Sequence, residues 1–233
     1  MRNTLKALGC DYIYQDTPID VTSSLQIQRE KHIAAIIKTE HPAYACKTLE
    51  ELKNAMLSFN ECALKKTALN TVFCDGNPQA DVMLIGEAPG ADEDAQGLPF
   101  VGQSGQLLNK IFQAIGLDRT KLYIANILPW RPPGNRTPTN EEIAMCQPFV
   151  EQHIQLIRPK LLIFLGGVSA KTLLKTTEGI TKLRGRFHEY KTHQGETISS
   201  FATYHPAYLM RSPGQKAQVW HDMIKIKQYL GLS

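Results

Sequence analysis

No stretch of this 233-residue chain reaches the run of about 18 apolar residues that a bilayer-spanning helix needs. Met1 to Asp11 holds only one short apolar stretch, not the long core of a secretory signal, so a soluble cytoplasmic protein is expected. Cysteine is scarce and scattered: Cys10, Cys46, Cys62, Cys74 and Cys146 are odd in number and form no CxxC pair. That argues against a disulfide framework and leaves spacing alone as weak support for a metal site. The closely spaced glycines of a dinucleotide fingerprint and the GKS/T ending of a P-loop are both missing, which sets both nucleotide-binding classes aside. Repeats and low-complexity tracts are absent too. What remains is a chain with 42% apolar residues, enough to bury a substantial core.

The net charge of +4 is modest, but its placement is uneven. Residues 1–57 hold seven Lys/Arg and seven Asp/Glu, so the whole excess falls in the remaining 176 residues, with 19 positive and 15 negative groups. A polyanionic partner would bind that part of the chain.

Two segments near the start, 25–38 (LQIQREKHIAAIIK) and 48–59 (TLEELKNAMLSF), place apolar residues at helical spacing. Thr48 followed by Glu51 has the form of a capping box. His41-Pro42 punctuates the chain between them. We read 1–58 as a partly helical N-terminal extension, an arm to 47 and then a first docked helix, and a candidate surface for a protein partner. Residues 59–233 form the principal domain, expected to be monomeric. From Ala80 the pattern repeats strand, loop, helix: apolar runs at 82–86, 122–126, 161–165 and 199–204 alternate with helical patterns at 105–115, 141–157, 168–175 and 216–230. Thr139 or Asn140 would cap the second of these helical patterns, inside which Pro148 should bend the helix. Continuous apolar strands between helices predict an α/β fold, a three-layer αβα sandwich around a four-stranded parallel sheet.

In open parallel sheets ligands lie beyond the carboxyl ends of the strands. The least ordinary sequences stand there: GEAPGADEDAQGLPFVG after the first strand, NILPWRPPGNRTP after the second, GG after the third and HPAYLMRSPG after the fourth. Asp92, Glu93 and Asp94 suit water activation or cation binding, or form a solvated acidic turn. Phe100 is either a core residue or a flat face on which a planar base stacks. Gly102 and Ser104 fall near a helix N-terminus, where free N–H groups favour a phosphate. Asn126 offers a donor and an acceptor together, which matches the adjacent carbonyl and ring N–H of uracil and mismatches cytosine's amine. Arg131 and Arg136 frame a stiff basic loop, and Lys182, Arg184, Arg186, Arg211 and Lys216 add cations suited to phosphates. His205 is held at a rigid loop start before Pro206. The residues after it, with Tyr208, Leu209 and Met210, have the make-up of a wedge that fills the gap left by an extruded base.

These blocks, in order, resemble the family 4 uracil-DNA glycosylases over about 59–230. The resemblance implies a monofunctional glycosylase that leaves an abasic site in uracil-containing DNA, single- or double-stranded, acting at the nucleoid. It implies that Phe100 stacks on uracil, that Asn126 reads its edge beside Ala88, and that His205 donates to uracil O2. Glu87 and Glu93 become the acidic candidates for aligning water. Relatives in the wider superfamily that orient water with an aspartate have it near the position of Ala88, so that role does not transfer. The family pattern also places four cysteine ligands of a 4Fe-4S cluster here, of which only Cys62 and Cys146 match. Phe59 and Trp130 stand at the other two positions, and Cys46 or Cys74 would have to supply missing ligands. We therefore expect no cofactor, with the two aromatic residues filling the cluster's volume. Two other readings compete: a module that binds uracil or abasic DNA without turnover, and a metal-dependent nucleotide hydrolase using the acidic loop.

Overall fold

The computed structural model of the protein describes residues 41–232, all within one compact unit. The helix expected at 25–38 lies outside the described residues. The sheet has six strands: β1 (Asp75–Gly76), β2 (Val82–Gly86), β3 (Leu122–Asn126), β4 (Leu161–Leu165), β5 (Phe187–Lys191) and β6 (Thr197–Thr203), in the order β1-β3-β2-β4-β6-β5. The central four run parallel and coincide with the four apolar runs, with Gly86 paired to Asn126 at the site-facing end. The expectation of a four-stranded parallel sheet is corrected by the two edges, where β1 and β5 pair antiparallel with β3 and β6 and make the sheet mixed. Both edges escape an apolar-run search for the same reason. β1 is two residues long, and β5 buries only Tyr190 fully while its other side chains meet solvent. An edge strand is covered less than a central one and need not be continuously apolar.

Helices are α1 (Leu49–Ser58), α2 (Ala91–Gln96), α3 (Gln103–Gln113), α4 (Asn140–Ile157), α5 (Gly167–Leu174), α6 (Ile180–Leu183), α7 (Pro206–Arg211) and α8 (Lys216–Tyr229). Side chains alternate across the central strands, as the pleat requires. Met83, Ile85, Tyr123, Ala125, Leu162 and Phe164 face one core with Leu52 and Met56 of α1, Phe149, Val150 and Ile154 of α4 and Leu173 of α5. Val82, Leu84, Leu122, Ile124, Leu161 and Ile163 face the other with Leu108 and Phe112 of α3 and Val219, Met223 and Ile226 of α8. Residues 41–58, read from sequence as part of the extension, thus contribute Ala43, Leu52 and Met56 to the first core.

Caps fix where the helices enter. Thr139 accepts from the Glu142 N–H at 3.2 Å while Glu142 reaches back to the Thr139 N–H at 2.8 Å, a complete capping box. At α1, Thr48 accepts from Glu51 N–H, but Glu51 reaches one residue further back, to Lys47. No helix among the described residues is long and apolar enough to cross a membrane.

Candidate base-recognition site

The carboxyl ends of β2, β3 and β6 open into a cleft of about 450 Å³, lined by residues of the first, second and fourth distinctive loops. The third contributes from behind: Gly166, at φ 97°, backs on to His205, where a Cβ would stand 3.0 Å from the histidine's own.

Gly86 ends β2 without a side chain because two neighbours occupy that space. A Cβ there would meet the tip of the Phe100 ring at 2.6 Å and overlap Asn126 Oδ1. Phe100 is 5% exposed, and its ring centroid lies 5.6 Å from that of His205, tilted by 30°. Asn126 is 8% exposed, and its Oδ1 has no hydrogen-bond partner. Leaving a buried acceptor unpaired costs on the order of 1–3 kcal/mol, and this one belongs to a residue that lines the cleft.

His205 is the N-cap of α7. Its Nδ1 accepts from the Ala207 N–H at 3.2 Å. A backbone N–H only donates, so Nδ1 carries no proton and the neutral ring holds its hydrogen on Nε2. Burial, with a smaller push from Arg211, lowers the imidazole from its usual 6.5 to about 4, which keeps it neutral at physiological pH. Glu87 follows Gly86 at the cleft wall, and burial alone raises its carboxyl above the ordinary range.

The acidic loop divides into different tasks. The Glu93 carboxylate accepts from the N–H groups of Gly90 at 3.1 Å, Val101 at 2.9 Å and Gly102 at 2.9 Å, tying the loop into one piece. Asp94 holds the Leu69 and Asn70 N–H groups. Asp92 is exposed. The segment 91–96 is thus helix α2 rather than an open turn.

Of the residues singled out from sequence, the cleft gathers Glu87, Ala88, Glu93, Phe100, Ser104, Asn126, Arg136, His205, Tyr208 and Arg211. Others lie elsewhere. Gly102 is buried with its N–H engaged by Glu93. Arg131 is held by Asn135 Oδ1 at 2.7 Å, outside the lining. Arg184 binds Asp222 at 2.6 Å and Gln218, and its guanidinium lies 5.1 Å over the Tyr204 ring, an internal brace rather than an open cation. Lys216 is exposed at the start of α8. Leu209, placed in the wedge by its sequence neighbours, is fully buried in the core. Because this segment is helix α7 and not an extended loop, the exposed apolar side chain is the next one, Met210, 42% exposed. Asn135 and Thr137 line the cleft without having been singled out individually; nothing but their place in the second loop signals them.

The four positions that the resemblance assigns to cluster ligands do converge. Cys62 Sγ and Cys146 Sγ are 3.8 Å apart and fully buried. Phe59 and Trp130 stack nearly parallel, 7° between planes at 6.3 Å, and Phe149 meets both edge-on. Trp130 Nε1 donates to Thr71 Oγ1 at 3.0 Å. Cys46 is turned to the Pro42 carbonyl at 3.3 Å, and no group of three or more His, Cys, Asp or Glu among the described residues could hold a metal ion. Two thiols and two aromatic rings are not the donor set of a four-thiolate cubane, so the residues do not fit that cluster.

The family model of the uracil DNA glycosylase superfamily matches residues 73–224. A type-4 uracil-DNA glycosylase of Sulfurisphaera tokodaii is 37% identical, covering 78% of this chain and 84% of its own. Enzymes of the same description from Archaeoglobus fulgidus and Saccharolobus solfataricus are 35% and 38% identical, over 79% and 78% of this chain and 94% and 86% of theirs. With that extent of identity over most of each relative's length, this chain belongs to the type-4 uracil-DNA glycosylases.

Proposed function

We propose that the protein excises uracil from DNA as a monofunctional glycosylase, and that the cleft receives the flipped base. The observation that carries this reading is the unpartnered, buried Asn126 Oδ1 in the cleft shared by Phe100 and His205. Uracil presents an N3–H to that acceptor and an O4 to the adjacent amide N–H, whereas cytosine presents neither in those places. Phe100 supplies the stacking face.

Extrusion of the base costs a few kcal/mol and is least costly in single strands or at mismatches. Arg211, at the cleft mouth, attracts the phosphates. Arg136 lines the cleft but is held bidentately by Glu142 at 2.9 and 2.6 Å, so it acts as a fixed donor fork. Tyr208 stands at the cleft wall and Met210 takes the wedge role beside it. As the N1–C1′ bond breaks, its electron pair goes to uracil. His205 Nε2–H donates to O2, where the charge accumulates, and donors fixed in advance act most strongly where charge develops. Water then adds to C1′, and its proton leaves through Glu87. We assign water alignment to Glu87 because the Glu93 carboxylate is engaged by three backbone N–H groups. No amine attacks C1′, so the product is an unbroken strand with an abasic site.

Incubation with single- and double-stranded oligonucleotides carrying one uracil tests this. Alkali-labile sites formed in excess EDTA are the expected result. A gel shift without such sites would assign a binding module instead, and activity abolished by EDTA would point to the metal-dependent reading.

A further inference from the structure

Phe100 has a strained backbone. Its φ of 54° lies in the left-handed region, which a bulky residue adopts only when its surroundings impose it. Those surroundings act on both flanking peptides. Beyond Phe100, the N–H groups of Val101 and Gly102 are fastened to Glu93. On the carbonyl side, Arg119 Nη1 donates to Pro99 O at 3.2 Å and Nη2 donates to Phe100 O. The guanidinium is itself aimed from two directions, by the Asp75 carboxylate in β1 and by Asn109 Oδ1 of α3, which accepts from Nε at 3.0 Å. Gly105 completes the seat, since a side chain there would overlap the Phe100 carbonyl.

We infer that Arg119 is a positioning residue of the excision reaction: its guanidinium, oriented by Asp75 and Asn109, locks Phe100 in the left-handed conformation that lays the ring on Gly86 and beside His205. The inference rests on the reading of Phe100 as the uracil-stacking face. Arg119 sits before β3, its charge is paired with Asp75, and it does not line the cleft, so it contacts neither base nor water in this account. Its planar fork is what the task requires: a lysine ammonium cannot hold two successive carbonyls and two side chains in one plane. Release of the lock leaves DNA capture intact and lets the ring drift, and displacements of about 1 Å in a positioned group can cost up to about 100-fold in rate.

The test is single-turnover uracil release by wild type, Arg119→Met, Arg119→Lys, Phe100→Ala and the Arg119→Met/Phe100→Ala pair, with affinity for a uracil-free oligonucleotide measured beside it. Arg119→Met should slow release about 10-fold or more with affinity unchanged, and Arg119→Lys should recover part of the rate. In the Phe100→Ala background, Arg119→Met should change the rate by less than about 2-fold, because the element it positions is gone. An equal slowing in both backgrounds, or no slowing in either, overturns the inference. If Arg119→Met does not accumulate folded, Asp75→Asn carries the same cycle with a smaller amplitude. A Phe100→Ala enzyme as fast as wild type would reject the stacking role itself, a separate outcome from an additive Arg119 effect.

Discussion

The cleft and the buried corner around Phe59, Cys62, Trp130 and Cys146 treat their polar atoms in opposite ways. In the cleft, Asn126 Oδ1 has no partner, Phe100 is strained and the His205 Nε2–H points away from its own cap bond. In the corner, Trp130 donates to Thr71, His41 bonds the Met145 carbonyl at 3.1 Å and accepts from Ala43 N–H, and the thiols face each other. In the proposed account the strain and unmet hydrogen-bonding capacity of the cleft serve the incoming base. Satisfied contacts mark the corner as core, even though the family pattern places a cofactor there.

Changes in the corner should therefore cost stability and spare chemistry, and changes in the cleft the reverse. Trp130→Ala leaves a large void and should destabilise the fold by about 3–5 kcal/mol in denaturant titration, with uracil release near wild type at temperatures where the protein stays folded. A large rate loss in that variant would break the comparison. His205→Ala should slow release by about 10²–10³-fold, since it removes a donor used as charge develops, while the loss of its cap bond to the Ala207 N–H lowers stability by only about 1 kcal/mol. Phe100→Ala should cost about 1–3 kcal/mol of transition-state stabilisation, read as a fall in kcat/KM.

The smallest effect concerns pH. Burial lowers His41 to about 4 and His153 to about 3, so the folded state resists protons that the unfolded chain takes up near 6.5. Their contribution to stability is complete above pH 6.5 and declines as pH falls toward 4, which a series of melting temperatures would show. The acid limb of activity should instead follow Glu87, whose carboxyl burial raises, and should vanish in the residual activity of Glu87→Gln.

The central sheet was legible because strands buried on both faces are apolar throughout: VMLIG and LLIFL admit few other readings. β5, with exposed Phe187, Glu189 and Lys191, carries no such signal, and β1 is too short to carry any. The site divides similarly. Asn126 ends β3, and Phe100 and His205 lie in segments of unusual composition beyond β2 and β6, so their convergence on one cleft was readable. Leu209 and Met210 are adjacent and both apolar, and only the helical turn of α7 decides which one meets solvent. Arg119 was not singled out at all. It acts on backbone carbonyls, which any sequence offers, so nothing in the residues it serves announces it.

The most direct measurement is single-turnover release of uracil from a one-uracil oligonucleotide by wild type and Asn126→Asp, with thermal melting of both. The account predicts abasic sites from wild type and a loss of about 10-fold or more in Asn126→Asp at equal stability, because a carboxylate offers O4 no donor and repels the departing anion. Equal rates for the two proteins would contradict it.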